Sequence, residues 1–170
     1  MIVGIDPGLT GALAVLTDDG GFFEVHDLPV MLRPMGGLVR QQMDGAALAE
    51  LMRELEARLP ADERGKPVVI VEDVGQIRPG RGVSSQASLV HGLGVIEGVL
   101  STLGWSMLPV TPQVWKRRAG LKQSGALTDT QKKAASLSLA RTLYPDASLD
   151  RVKDHGRADA LLIARYGLIW

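Results

Sequence analysis

The chain has no cysteine, so it forms neither disulfides nor thiolate metal sites, and the composition suits a reducing compartment. Any metal it binds must be held by oxygen and imidazole. No apolar run approaches the roughly 18 residues of a membrane span, and Met1 leads straight into Ile-Val-Gly-Ile-Asp without a basic leader. A soluble cytoplasmic protein with no membrane partner is expected. An excess of charge of one sign is also missing. The 19 Lys and Arg residues balance 19 Asp and Glu, so only the local distribution can point to a polyanion. There is no internal repeat or low-complexity tract. What remains is ordinary globular composition, 45% apolar and 22% charged over 170 residues, which suits one domain, 1–170, with a full core.

The stretch Met1 to Thr17 joins two apolar runs through a turn containing Pro7, Gly8 and Gly11, and the first run ends in a carboxylate, Asp6. Such an Asp either caps the turn by accepting from backbone N–H groups or needs a partner or a metal, because a buried lone charge costs several kcal/mol. After Gly20 and Gly21, Phe22 to Leu28 reads as a third antiparallel strand. Residues 29–43, with Pro29, Pro34, Gly36 and Gly37, read as a loop. Asp44 caps a helix whose apolar face is Ala47, Leu48, Leu51, Met52 and Leu55, and which ends before Pro60. Val68 to Val71 is a continuous apolar run, typical of a strand covered on both faces, and it ends at Glu72. A helix between two strands implies a crossover, so this strand should lie parallel to the first and beside it, with Asp6 and Glu72 at one sheet end.

Residues 75–86 are Gly-rich and basic and read as a substrate-facing loop in which Arg78 and Arg81 are free to meet phosphates. Ser84 to Leu103 reads as a helix even though Gly92, Gly94 and Gly98 each cost it about 1 kcal/mol relative to alanine. Glycines in a helix mark close approach by another helix, a DNA backbone or a second subunit. Trp105 to Val110 reads as a strand, and Thr111-Pro112 opens a helix running to Arg118. Residues 119–127 form a link. Thr128 caps a helix through about Leu143, and a last helix starts near Asp154 with Ala158, Leu161, Leu162 and Ala164 inward. The expected architecture is an α/β fold: a five-stranded mixed sheet in the order 3-2-1-4-5, flanked by helices.

Asp6, Glu72, His155 and Asp159 come from two strand ends and one helix, and this fold can bring that helix across the carboxylate end of the sheet. His155 and Asp159, four apart, share a helix face. Carboxylates suit Mg²⁺, and one imidazole also admits Mn²⁺; two such ions would activate water and stabilise the leaving oxygen of a phosphodiester displacement. Near a helix N-terminus His155 is expected to be neutral. Asp154 is its rival as a ligand, with the N-cap as its preferred role. Glu72 has an arginine partner as its alternative, and Asp73 should point to the opposite face. Lys116, Arg117, Arg118, Lys122, Lys132 and Lys133 lie in a stretch whose only acid is Asp129, the expected polyanion face. The neighbouring Trp115 is expected to be partly buried and not a stacking platform.

The pieces IVGIDPGLTGA, VVIVED, PVTPQVWKRRAGL and KDHGRADALLIARYG resemble, in that order and over nearly the whole chain, the RuvC-type Holliday-junction resolvases of the RNase H-like superfamily, in their phage and chloroplast-type branch. The resemblance implies an RNase H-like fold, a homodimer, and Mg²⁺-dependent symmetric nicking of four-way DNA junctions; the expected location is the cytoplasm, or the cytoplasm of a phage-infected bacterium. By position it puts Asp6, Glu72, His155 and Asp159 on the metal-binding set and Lys133 on a lysine near the scissile phosphate, with Lys132 the alternative. Bacterial RuvC proteins commonly carry two aspartates three apart on the last helix; here Gly156 stands in that position and the pair is His155 and Asp159. Two other classes share parts of the pattern. An RNA-DNA hybrid or rRNA-processing nuclease would use the same cluster, and actin-like ATPases share the opening hairpin but need a second phosphate loop and usually a much longer chain.

Overall fold

A computed structural model of the chain describes residues 1–59, 61, 67–73, 82–122, 125 and 127–168. The opening hairpin forms as the apolar pattern requires: β1 (Ile2–Ile5) pairs antiparallel with β2 (Ala12–Leu16), and β3 (Phe22–Asp27) adds antiparallel to β2. Residues 29–43 depart from the expected loop. They form β4 (Val30–Met35) and β5 (Leu38–Met43), a separate two-stranded antiparallel ribbon. The reason is its turn. Gly36 and Gly37 both take positive φ, +54° and +84°, which a tight two-residue hairpin demands and glycine supplies without strain.

Asp44 caps α1 (Gly45–Arg58) through bonds from Ala46 N and Ala47 N. The crossover then delivers β6 (Val68–Glu72) parallel to β1, with Ile5 opposite Val71. Next come α2 (Val83–Leu103) and β7 (Met107–Val110), which pairs parallel with β6. The main sheet therefore has the order β3-β2-β1-β6-β7, not 3-2-1-4-5, because the ribbon intervenes in the chain without joining the sheet. Three helices complete the chain: α3 (Pro112–Arg118), α4 (Asp129–Leu143), opened by a Thr128/Gln131 capping box, and α5 (His155–Gly167).

Alternate residues of the central strands feed two core layers, as the two-residue strand period dictates. Ile2, Ala14, Leu16 and Ile70 pack under α4 and α5, whereas Val3, Ile5, Leu13, Val15 and Val71 pack against α1 and α2. Two glycines let α5 lie directly on the sheet. A Cβ on Gly4 would stand 2.2 Å from Ala164 N, and one on Gly156 would stand 2.3 Å from the Thr10 carbonyl oxygen. On α2, only Gly92 marks close approach, 3.2 Å from Pro7 O for an added Cβ; Gly94 and Gly98 face open space. Among the described residues no helix is long and apolar enough to cross a membrane.

Candidate active site

Parallel pairing of β1 with β6 sets Asp6 and Glu72, the residues just past Ile5 and Val71, side by side at one end of the sheet. Helix α5 crosses that end and brings Asp159 to them. The three carboxylates feel one another: the Asp6 carboxyl is pushed up to about 7 by burial, then by the charges of Glu72 and Asp159, against the pull of the Gly8 N–H and Lys116. The Gly8 bond to Asp6 Oδ1 is long, 3.4 Å, too weak for turn capping to be the whole role of Asp6. The Asp159 carboxyl is also raised, chiefly by burial, although Lys116, the Ser136 hydroxyl, His155 and Lys133 all oppose the rise. Asp159 Oδ1 is buried and has no hydrogen-bond partner.

Glu72 finds one of its partners in α3. Its Oε2 accepts from Trp115 Nε1 at 2.8 Å. Trp115 is fully buried, more deeply than expected, and a buried indole N–H needs an acceptor; that requirement is the signal that tied it to the carboxylates. Lys116 departs from the outer basic face. Its Nζ lies 4.9 Å from the Trp115 ring centre and 3.9 Å from Asp159 Oδ2, so its charge belongs to the cluster. Ser136, buried on α4, had no signal in the sequence.

His155 opens α5, and its Nδ1 lies 2.6 Å from the Lys153 carbonyl oxygen. A carbonyl only accepts, so Nδ1 carries the proton and the lone pair of a neutral ring sits on Nε2, free to ligate. Asp154 stands at the N-cap position of α5, as expected, and its backbone carbonyl accepts from Ala158 N. Its buried carboxylate makes no cap bond and instead accepts from Arg151 N at 2.8 Å and Arg151 Nε at 2.6 Å, which keeps it below the usual carboxylate range even though burial, the largest influence, acts the other way. Asp27, at the end of β3, clamps the same segment through Arg157 Nε at 2.6 Å and Arg151 at 3.3 Å.

Lys133 and His155 line one groove of about 560 Å³ between α4 and the chain before α5. The field of Lys133 reaches Asp159; Lys132, its neighbour on α4, is half-buried. Arg117, Arg118 and Lys122 are exposed, and Arg78 and Arg81 lie outside the described residues. Among the described residues no three carboxylate or imidazole side chains are already closed around an ion position. The donor set nonetheless fits a hard divalent cation: mutually repelling carboxylates, one orphaned buried oxygen and one available imidazole nitrogen.

No family model matches the chain. It is 36% identical over 126 residues, 72% of its length, to a protein of Chlamydomonas reinhardtii described as the chloroplastic Holliday junction resolvase MOC1, and it spans 14% of that relative's length. Its fold matches T. thermophilus RuvC, solved in complex with a Holliday junction substrate, with a TM-score of 0.56 at 16% identity over 99% of this chain and 94% of that one. In sequence as in fold, the chain is similar to the RuvC-type Holliday-junction resolvases.

Proposed function

We propose that this chain is a single RNase H-like nuclease domain that resolves four-way DNA junctions by paired, symmetric, metal-dependent nicks. The observation that carries the reading is the convergence of Asp6, Glu72 and Asp159 at the sheet end, where burial first and then the charges of Glu72 and Asp159 lift Asp6 to about 7 and Asp159 Oδ1 is buried without a partner. A cation resolves both problems. Asp6, Glu72, His155 and Asp159 would hold Mg²⁺, or Mn²⁺ in its place, most simply as two ions. Bound there, the ions would supply charge to activate water and to stabilise the departing 3′ oxygen. Glu72 is held in register by Trp115, and His155 presents Nε2 because the Lys153 carbonyl accepts the hydrogen bond from Nδ1–H. Lys133, which lines the same groove as His155, would neutralise the phosphate that is cut. Arg117, Arg118, Lys122 and Lys132 would form the flanking phosphate surface.

Symmetric cutting of two opposed strands needs two such sites, and a two-fold junction calls for a homodimer. The open glycine face of α2 is our choice for its interface. The test is incubation with a labelled four-way junction, a linear duplex and an RNA-DNA hybrid, in Mg²⁺ and in EDTA. Cutting of the junction alone, only with metal, is expected; cutting of the hybrid instead would overturn the substrate assignment.

A further inference from the structure

The chain between the end of α4 at Leu143 and the start of α5 at His155 forms neither helix nor strand, so nothing in its own backbone ladder fixes where it lies. Packing of α5 on the sheet sets the His155 backbone. The ring is turned by a different contact, the bond from Nδ1–H to the Lys153 carbonyl oxygen at 2.6 Å, and the place of that carbonyl decides which ring nitrogen keeps its lone pair. Lys153 sits inside a turn closed twice. Arg151 N donates to Asp154 Oδ2 at 2.8 Å, and Asp154 N donates to Arg151 O at 3.1 Å, so the carbonyl moves only if the turn moves.

That turn is anchored from far away in sequence, at Asp27. Its Oδ1 accepts from Arg157 Nε at 2.6 Å and its Oδ2 from Arg151 Nη2 at 3.3 Å, while Arg157 Nη1 reaches back to the Ser148 carbonyl at 3.1 Å and Arg151 Nε to Asp154 Oδ1 at 2.6 Å. One carboxylate thus grips the turn and the first turn of α5 together. Asp27 is itself fixed in the sheet, opposite Ala12 in the β2–β3 register and next to the bond from Leu28 N to Gly11 O, so it shares the frame of the turn that carries Asp6. Its side chain is 54% exposed and that of Arg151 44%. Ion pairs this open contribute only about 0–1 kcal/mol each, too little for the fold to depend on them. What they supply is geometry. A partner that holds the second nitrogen of a metal-ligating imidazole sets its tautomer and direction, and disturbing such a partner typically costs roughly 10–100-fold in metal affinity.

We propose that Asp27 is a positioning residue for His155: by gripping Arg151 and Arg157 it holds the Lys153 carbonyl where it keeps the imidazole protonated on Nδ1, with Nε2 free for a divalent cation. The inference rests on the metal-binding reading above. It is tested on the whole protein by two measurements that do not involve cutting. The first is the ¹⁵N–¹H spectrum of the imidazoles in EDTA at pH 8, with His155 assigned by its loss in His155→Ala. The second is Mn²⁺ titration, read as free Mn²⁺ by electron paramagnetic resonance, for wild type, Asp27→Ala, His155→Ala and the double variant, with urea midpoints as the check on folding. Wild type should show the Nδ1–H tautomer alone, and Asp27→Ala a mixture of both at a near-wild-type midpoint. Mn²⁺ binding should weaken about 10-fold in Asp27→Ala and no further when the same change is made in His155→Ala, because two residues that act through one ligand are not additive. If Asp27→Ala fails to fold, Asp27→Asn is read in its place. An unchanged tautomer or an unchanged Mn²⁺ affinity would overturn the role, and equal weakening with and without His155 would overturn it too, by making Asp27 a structural residue only. Wild-type Mn²⁺ affinity in His155→Ala would overturn the inference and leave the carboxylate site standing. No Mn²⁺ binding by wild type would overturn both.

Discussion

Asp6→Asn should stabilise the metal-free protein while destroying its activity, and the pH at which the stabilisation appears is set by the cluster. The Asp6 carboxyl rises from 3.8 to about 7. Between those values the native chain keeps a proton that the unfolded chain has released, so the native state binds more protons and stability falls as pH rises through the window. Above pH 7 the loss is complete. At about 1.4 kcal/mol per pH unit the span is worth about 4 kcal/mol, and because Glu72 and Asp159 share the repulsion, about 2–4 kcal/mol is the amount asparagine should relieve. For a chain of this size that is roughly 5–15 °C in Tm. The assay is thermal unfolding in EDTA from pH 4 to 8.5. Wild type should lose stability from pH 4 to 7 and then level off; Asp6→Asn should lose less and exceed wild type at pH 8. Mg²⁺ at pH 8 should raise the wild-type Tm and leave the variant nearly unmoved. Parallel pH profiles in EDTA would refute the reasoning, since they would mean that Asp6 carries no strain for a cation to relieve.

Trp115→Phe removes the donor to Glu72 and should cut single-turnover nicking about 10-fold or more, with the fold retained by circular dichroism; an unchanged rate would show that the bond positions nothing. Gly156→Asp, which restores the three-apart aspartate pair, should destabilise by at least 3 kcal/mol in urea, because its Cβ would stand 2.3 Å from a backbone oxygen. Arg117→Ala/Arg118→Ala should weaken junction binding and flatten its salt dependence, and an unchanged slope would place these residues away from DNA. Gly94→Arg, at a position with nothing within 4 Å of an added Cβ, should leave a folded protein that is monomeric by light scattering and no longer couples its two nicks; a folded, coupled dimer would move the interface elsewhere.

The main sheet was legible because its strands obey two strong rules: continuous apolar runs where both faces are covered, and parallel pairing after a helical crossover. Those rules alone bring Asp6 and Glu72 together. The ribbon was missed because its strands are exposed, so no burial pattern marks them; only the Gly36-Gly37 turn did, and Pro29 and Pro34 around it read more readily as loop. Trp115 and Lys116 were legible as a pair but not in direction. Which way a helix faces depends on what it packs against, and α3 turns its indole N–H and the Lys116 ammonium to the carboxylates because both need acceptors there. The position of Gly156 joins these two levels. Read along the chain, it is a gap where the resembled bacterial proteins carry an aspartate. In the fold, it is the point where α5 meets the Thr10 carbonyl, and no side chain can stand there while the helix lies this close to the turn that carries Asp6. Close approach at 156 leaves the residue before it and the residue three after it as the positions proposed to bear ligands, and His155 and Asp159 share one face of the helix because four residues make nearly one turn.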